Sequence, residues 1–233
     1  MDGLLILAIE TATGCGSVSL TRGGRYDFRL LAECASQPDI THSRRLLGPI
    51  AWVMKNTGVQ WDELDAVGIS MGPGSFTGLR IGMAAAKSIA MATGTSLVGV
   101  PTLDALALGP GIKNSLLCSL LDARKQEVYA AFYRTDKTGW PTSIAGPVAI
   151  RPADLLKGID EPVVLVGPGA KVYRDIFQDN DLVYIQPDYL ALPRAVNVGI
   201  LAADNLEQGR TIDPVTAAPM YVRASEAEVN LKR

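Results

Sequence analysis

The sequence contains a single histidine, His42, among its 233 residues. A metal site built on two histidines, such as the H-E-x-x-H motif, is therefore excluded. Any catalytic arrangement of the Ser-His-Asp or Cys-His kind would have to use His42. Because His42 stands in "THSRR" at the start of a predicted helix, its position favours a capping or packing role.

Cysteine and excess charge are also scarce. The three cysteines, Cys15, Cys34 and Cys118, are far apart and odd in number, which suggests reduced thiols rather than a disulfide framework or a zinc knuckle. The formal net charge is -2, so the chain lacks the basic surplus of a stand-alone nucleic-acid-binding protein. If RNA is involved, we expect a partner to supply much of the affinity.

The sequence has no long apolar run. No segment approaches the roughly 18–20 apolar residues of a membrane-spanning helix, and the first residues, with Asp2, lack the basic start of a signal peptide. We therefore expect a cytoplasmic protein. With 48% hydrophobic and 20% charged residues, the composition predicts one large globular domain or two small ones.

The first hundred residues predict a mixed sheet of about five strands. Residues 4–33 contain an apolar run, a turn of small residues and two alternating runs. They predict three antiparallel strands, with a hairpin at Gly23–Gly24. A helix is expected from Thr41 to Thr57, kinked or restarted at Pro49. Its apolar face comprises Leu46, Leu47, Ile50, Val53 and Met54. The segments "LDAVGIS", Phe76–Thr93 and "SLVGV" then predict a parallel strand–helix–strand unit.

The second half repeats this outline. In both halves an apolar strand ends in an acid, Glu10 or Asp122, and a short turn leads into an alternating strand. The likeness is one of pattern rather than identity, so an internal duplication remains a hypothesis at this point. Further along, "PVVLVGPGAKVYRDIF" predicts a strand followed by a helix, and "PRAVNVGILAADNLEQG" predicts another helix.

A turn rich in glycine joins the predicted strand to the helix that begins at Phe76. It comprises Gly72, Pro73, Gly74 and Ser75. The segment fits neither the P-loop motif nor the nucleophile elbow G-x-S-x-G, and we expect Ser75 to cap the helix. The turn could bind an anion at the helix N-terminus or serve only as a tight structural turn.

The helix after this turn carries small residues at every fourth position. They are Gly78, Gly82, Ala86 and Ala90. Such a face allows another backbone to approach closely, either this chain's own sheet or, with a slight preference, a helix of a second chain. Arg80 and Lys87, seven residues apart, lie on a similar side of the helix. They form either a solvated surface or a contact with an acidic partner or tRNA phosphate.

Several motifs occur in an order and spacing known from one family. They are "LAIETAT", "GPGSFTGLRIG", "AAAKSIAMATG", "LLDARKQEVYAAFY", "VLVGPGA" and "PMYVR". Over nearly its whole length the chain resembles the bacterial TsaB family, also called YeaZ. The resemblance implies an α/β fold with the two similar subdomains of actin, hexokinase and Hsp70 (ASKHA). Each subdomain would hold a mixed sheet flanked by helices.

The resemblance implies a role in making threonylcarbamoyladenosine on tRNA. The family acts as a non-catalytic partner of a paralogue, TsaD, with TsaE as an ATP-hydrolysing subunit and tRNA bound indirectly through the complex. It also implies a homodimer when the chain is alone, and no cofactor and no metal. The expected division is residues 1–103 with the partner-binding helices, residues 104–213 as the second subdomain, and a tail at 214–233.

The family's partner interface lies on the first two helices. Carried onto this sequence, it predicts contacts at Leu46, Ile50, Val53, Gly78, Arg80, Gly82, Ala86 and Ala90, while Gly72, Pro73, Gly74 and Ser75 form a structural loop. A vestigial nucleotide-binding turn is expected at Glu10, Thr11, Thr13 and Gly14.

Two features of the sequence weaken any case for nucleotide chemistry. Glu10 stands where the family more often has aspartate, and the second turn, "DARKQE", contains no glycine. A kinase of the same superfold and a glycoprotease-like hydrolase remain the alternative functions.

Overall fold

The computed structural model describes residues 3–36 and 43–222. Those residues form two compact units, one built from residues 3–105 and 193–219 and the other mainly from residues 106–192. Within the described part of the chain, no helix is both long and apolar enough to cross a membrane. Thr41 and His42 lie outside the described residues, so the predicted role of His42 stays a prediction.

The elements follow in chain order. The first are β1 (Leu5–Glu10), β2 (Gly16–Arg22), β3 (Arg29–Ser36), α1 (Ser43–Thr57), β4 (Ala66–Gly72), α2 (Phe76–Thr93), β5 (Ser96–Pro101) and α3 (Thr102–Leu108). Then come β6 (Leu116–Arg124), β7 (Glu127–Thr135), β8 (Pro141–Ile150), α4 (Pro152–Lys157), β9 (Val163–Val166), α5 (Pro168–Val172), α6 (Arg174–Phe177), β10 (Val183–Ile185) and α7 (Ala195–Glu207). Short 3₁₀ helices span Trp61–Glu63 and Asp188–Leu190.

The first unit contains a five-stranded mixed sheet in the order β3-β2-β1-β4-β5. β1–β2 and β2–β3 are antiparallel, whereas β1–β4 and β4–β5 are parallel. This confirms the predicted meander and the strand–helix–strand unit. Because side chains alternate along β1, Leu7 and Ile9 join the core with α1 and α2, while Ile6 and Ala8 join the core with α7.

Helix α7 packs against the first sheet and belongs to the first unit. The expected second subdomain, residues 104–213, included α7 and is corrected in this respect. Small residues allow this close packing: a Cβ on Gly199 would lie 2.6 Å from Oγ1 of Thr21, and a Cβ on Gly68 would lie 2.9 Å from Cβ of Ala202. At the start of α7, the backbone N–H of Ala195 donates to Oγ of Ser17. The helix is buried over most of its length and fills one face of the first sheet.

The second unit repeats the topology of the first. Its sheet has the order β10-β9-β6-β7-β8, with β6 in the central place of β1, antiparallel neighbours on one side and parallel neighbours on the other. Glu10 and Asp122 stand near the ends of these two central strands. The suspected duplication is therefore confirmed at the level of topology.

Three local features differ from the sequence-based expectations. Helix α1 continues without a break through Pro49. The connection between β2 and β3 spans residues 23–28, not two residues. The expected helix after β9 is divided into α5 and α6 at Tyr173.

The segment after α7 returns along the first sheet and α2. Ile212 forms an isolated antiparallel bridge with Leu97 of β5. The Lys87 ammonium donates to the carbonyl oxygens of Val215 at 3.1 Å and Ala217 at 3.0 Å. Part of the expected tail is thus anchored to α2, and residues 223–233 lie outside the described part of the chain.

Replacing Lys87 by methionine should loosen this segment while retaining most of the side chain's apolar stem. We expect amide hydrogen exchange in residues 213–217 to accelerate about tenfold, since a hydrogen bond from a charged donor contributes on the order of 1.5 kcal/mol. Lys55→Met, at an exposed lysine of α1, serves as the control. Unchanged exchange in Lys87→Met would show that the ammonium does not hold the segment.

Candidate functional site

The turn between β4 and α2 is held by its own chain. The backbone N–H of Ser75 donates to the carbonyl oxygen of Ala12 at 2.6 Å, and that of Gly72 donates to Oγ1 of Thr102 at 3.2 Å. The N–H of Gly78 donates to Oγ of Ser75 at 3.2 Å, which confirms Ser75 as the N-cap of α2. These hydrogen bonds occupy donors that an anion at this helix end would otherwise use.

The glycines of this region allow a close approach between α2 and the turn after β1. A Cβ on Gly74 would overlap the carbonyl oxygen of Ala12, and one on Gly78 would overlap that of Thr11. A Cβ on Gly82 would overlap the Thr11 hydroxyl. The small-residue face of α2 therefore packs against this chain's own sheet and turn.

This packing corrects most of the predicted partner contacts. Gly78, Gly82, Ala86 and Ala90 are buried within the first unit, as are Leu46, Ile50 and Val53. The physical reason is that a small-residue face serves equally well for packing on a sheet of the same chain. Arg80 is exposed, and its role as a partner contact stays a prediction.

Large apolar side chains instead point outward from the same two helices. They are Leu47, Trp52, Phe76 and Met91, and we call this set of exposed apolar side chains on α1 and α2 the outer face. Leu47 is 70% exposed and Met91 is 61% exposed, so neither belongs to the core. Leu47 belongs to the predicted apolar face of α1, yet consecutive residues of a helix point about 100° apart. Because Leu46 is buried, the angle of about 100° between Leu46 and Leu47 could have identified Leu47 as exposed.

Arg80 and Lys87 do not act as one cationic pair. The Arg80 guanidinium lies over the Phe76 ring, 3.9 Å from its centroid, in a cation–π contact. The Lys87 ammonium donates to the two backbone carbonyls of the C-terminal segment described above. Of the two side chains, Arg80 lies beside the outer face.

Glu10 is completely buried at the end of β1. One carboxylate oxygen accepts a hydrogen bond from the backbone N–H of Ala12, while the other has no hydrogen-bond partner among the described residues. Burial raises the pKa of Glu10 to about 7, although hydrogen bonds from Ala12 and Ser70 oppose the shift. Near neutral pH the group is therefore divided between its protonated and ionised forms.

The other residues of the expected nucleotide-binding turn are arranged differently. Thr11 is buried against α2, Thr13 donates through Oγ1 to the carbonyl oxygen of Cys15, and Gly14 is exposed. A cavity of about 410 Å³, open mouth included, lies beside this turn. It is lined by Thr11, Thr13, Gly16, Ser17, Val18, Ser36, Leu46, Pro49, Gly78 and Ile81, which are uncharged.

The corresponding turn of the second unit contains its own carboxylate. The backbone N–H of Arg124 donates to Oδ1 of Asp122 at 2.8 Å, and the Tyr173 hydroxyl donates to the same oxygen at 3.4 Å. Arg124, Lys125 and Gln126 all have φ between 52° and 62°. The Asp122 carboxylate thus occupies a donor that a phosphate-binding turn would offer.

Across residues 3–36 and 43–222, no three His, Cys, Asp or Glu side chains gather in a metal-binding cluster.

Comparisons with known proteins identify the family of this chain. The model of the family "TsaD: tRNA N6-adenosine threonylcarbamoyltransferase" matches residues 35–231. The Escherichia coli K12 "tRNA threonylcarbamoyladenosine biosynthesis protein TsaB" is 30% identical over 229 residues, covering 95% of this chain and 96% of that protein. The chain belongs to the TsaB family. Its match to the TsaD model places TsaB and TsaD in one wider group.

Other TsaB relatives extend the match. The Bacillus subtilis protein of the same name is 25% identical over 230 residues, covering 97% of this chain and 96% of its own length. The structure titled "YeaZ from Pseudomonas aeruginosa" superposes with a TM-score of 0.79 at 24% identity, covering 94% of this chain and 99% of that one. The TsaB fold with two mixed sheets, of the actin and hexokinase type, is therefore present here.

The close approach at Gly78 can be tested by Gly78→Ala. Overpacking against the fixed Thr11 carbonyl should cost about 1–3 kcal/mol, which exceeds the gain in helix propensity of up to about 1 kcal/mol. Urea denaturation should therefore show a net loss of unfolding free energy. Ala84→Gly, at an exposed position of α2, measures the effect of helix propensity on the unfolding free energy without a change in core packing. A stabilised Gly78→Ala variant would contradict the packing.

Glu10→Gln tests the buried carboxyl. In wild type the folded-state pKa is about 7 against an ordinary 4.5, so protons bind the folded state more tightly and stability falls as pH rises between these values. The loss amounts to about 3 kcal/mol at most. Glu10→Gln should therefore gain stability relative to wild type at pH 8 but not at pH 4. Unfolding free energies are measured by urea titration. An equal difference between variant and wild type at pH 4 and pH 8 would refute the pKa shift of Glu10.

Proposed function

We propose that this chain serves in threonylcarbamoyladenosine synthesis on tRNA as a non-catalytic subunit that binds the paralogue TsaD. Membership of the TsaB family supports the pathway, because the E. coli and B. subtilis relatives are named for that biosynthesis. The assignment as a binding subunit rests chiefly on one observation, the outer face of α1 and α2.

The outer face has the chemistry of a protein–protein contact. Large apolar side chains, including Trp52 and the strongly exposed Leu47 and Met91, project from neighbouring helices of one unit. Tryptophan is among the residues that most often dominate binding energy, and exposed apolar surface of this kind commonly marks an interface. The Arg80 guanidinium beside it adds a donor for an acidic partner group. The same face would pair two copies when the chain is alone.

The acids near the ends of the two central strands support a non-catalytic role. Glu10 is fully buried and hydrogen-bonded to the backbone of Ala12, so it is withdrawn from any substrate in solution. Asp122 accepts hydrogen bonds from Arg124 and Tyr173 within its own unit. A kinase of this superfold would instead need both turns to present N–H donors to phosphate groups.

The proposal is tested by measuring threonylcarbamoyladenosine on purified tRNA with the synthase, TsaD and TsaE, with and without this chain. We expect omission to abolish modification and a Glu10→Gln, His42→Ala variant to restore it. A variant that binds TsaD normally but fails to support modification would place chemistry in this chain and overturn the non-catalytic assignment.

The interface is tested by Trp52→Ala and Met91→Glu. Each should weaken TsaD binding about 30-fold or more, because a truncated interface anchor costs on the order of 2 kcal/mol and a buried charge costs further. Titration calorimetry measures the affinity, and Tyr184→Ala, at an exposed tyrosine of the second unit, is the control. Unchanged affinity in both variants would remove the outer face from the interface.

A further inference from the structure

The connection between β2 and β3 concentrates positive charge and aromatic rings. The segment from Arg22 to Arg29 reads "RGGRYDFR", with three arginines, one tyrosine and one phenylalanine in eight residues. We call it the arginine hairpin. A chain with a net charge of -2 has no general basic surplus, so this is a local concentration.

Two of its arginines face each other across the hairpin. Arg22 of β2 and Arg29 of β3 are direct cross-strand partners at the last register position of this pair. Like charges placed directly opposite each other destabilise a sheet. A pair of this kind is therefore unfavourable in the isolated protein and becomes favourable when an anion lies between the two guanidinium groups.

Aromatic rings lie beside these charges. The Arg25 guanidinium is 5.2 Å from the centroid of the Tyr26 ring, and Tyr26 is 81% exposed. Phe28 is also exposed. Neither ring belongs to a core cluster, although burial would have been favourable for such large apolar surfaces.

Two acids lie near the turn, and one of them is hydrogen-bonded to its backbone. Oδ1 of Asp27 accepts a hydrogen bond from the N–H of Gly24 at 2.9 Å. The carboxylate of Glu207 lies against Gly24 from the side of α7. Both carboxylates lie near Gly24, and Asp27 is exposed together with Tyr26, Phe28 and Arg29.

We propose that the arginine hairpin binds single-stranded RNA directly, with Arg22 and Arg29 on phosphates and the exposed rings stacked on bases. Arginine matches phosphate geometry, and unpaired RNA bases stack on exposed aromatic and guanidinium planes. Identifying that RNA as the anticodon loop of the substrate tRNA rests on the proposed function. The inference changes the expectation that tRNA is held only indirectly, through the complex.

The test measures binding of the full-length chain to a fluorescently labelled, unmodified tRNA transcript at low salt, by anisotropy. Tyr26→Ala should weaken binding about 5- to 100-fold through lost stacking, whereas Tyr26→Phe should keep the affinity. Arg22→Gln and Arg29→Gln should each reduce the slope of log affinity against log salt by roughly one. Arg124→Gln and Tyr184→Ala, at exposed positions of the second unit, are matched controls.

Folding is monitored separately. Because Arg29→Gln removes a like-charge pair, its melting temperature without RNA should equal or exceed that of wild type. Absence of tRNA binding at low salt, or equal losses in hairpin and control variants, would overturn the inference. That result would leave the TsaD-binding proposal standing, whereas full modification without this chain would overturn that proposal and leave the hairpin measurements unaffected.

Discussion

The close approach of α2 to the turn after β1 is the constraint on which the first unit depends. Helix α2 reaches the backbone at Thr11 and Ala12 only because Gly74 and Gly78 lack side chains. The hydrogen bond from Ser75 to the Ala12 carbonyl then fixes the start of the helix. Glycines inside a helix cost stability, and here the compensating contact is the chain's own sheet.

This contact also decides which residues remain available for partners. One side of α2 is used for packing, so Phe76 and Met91 on other sides of the helix face solvent, as do Leu47 and Trp52 of α1. The glycine-rich turn is consequently structural, although its composition resembles that of anion-binding loops. In both halves the acid near the end of the central strand, Glu10 or Asp122, is bound by groups of its own unit. The turns after both central strands are thus engaged in contacts within their own units.

Sequence patterns predicted the strands and helices of the first half of the chain more completely than those of the second half. The apolar run of β1, the alternation along β2, the cap at Ser75 and the repeated strand ending in an acid all predicted what is observed. Strand β8 was missed because Pro141, Gly146 and Pro147 interrupt it and most of it is exposed, which leaves no apolar alternation. Strand β10 has only three residues, too few for any period to show.

The sequence by itself determined the local structure and the family, because periodicity, caps and turn residues act over a few neighbours and the motifs are long. Tertiary structure alone decided that α7 packs on the first sheet, that the small-residue face of α2 is internal, and that Leu47 is exposed. Those outcomes depend on which segment, distant in the sequence, packs against a given helix or sheet face. A pattern of small or apolar residues specifies that a surface will be covered, but not whether the same chain or a partner covers it.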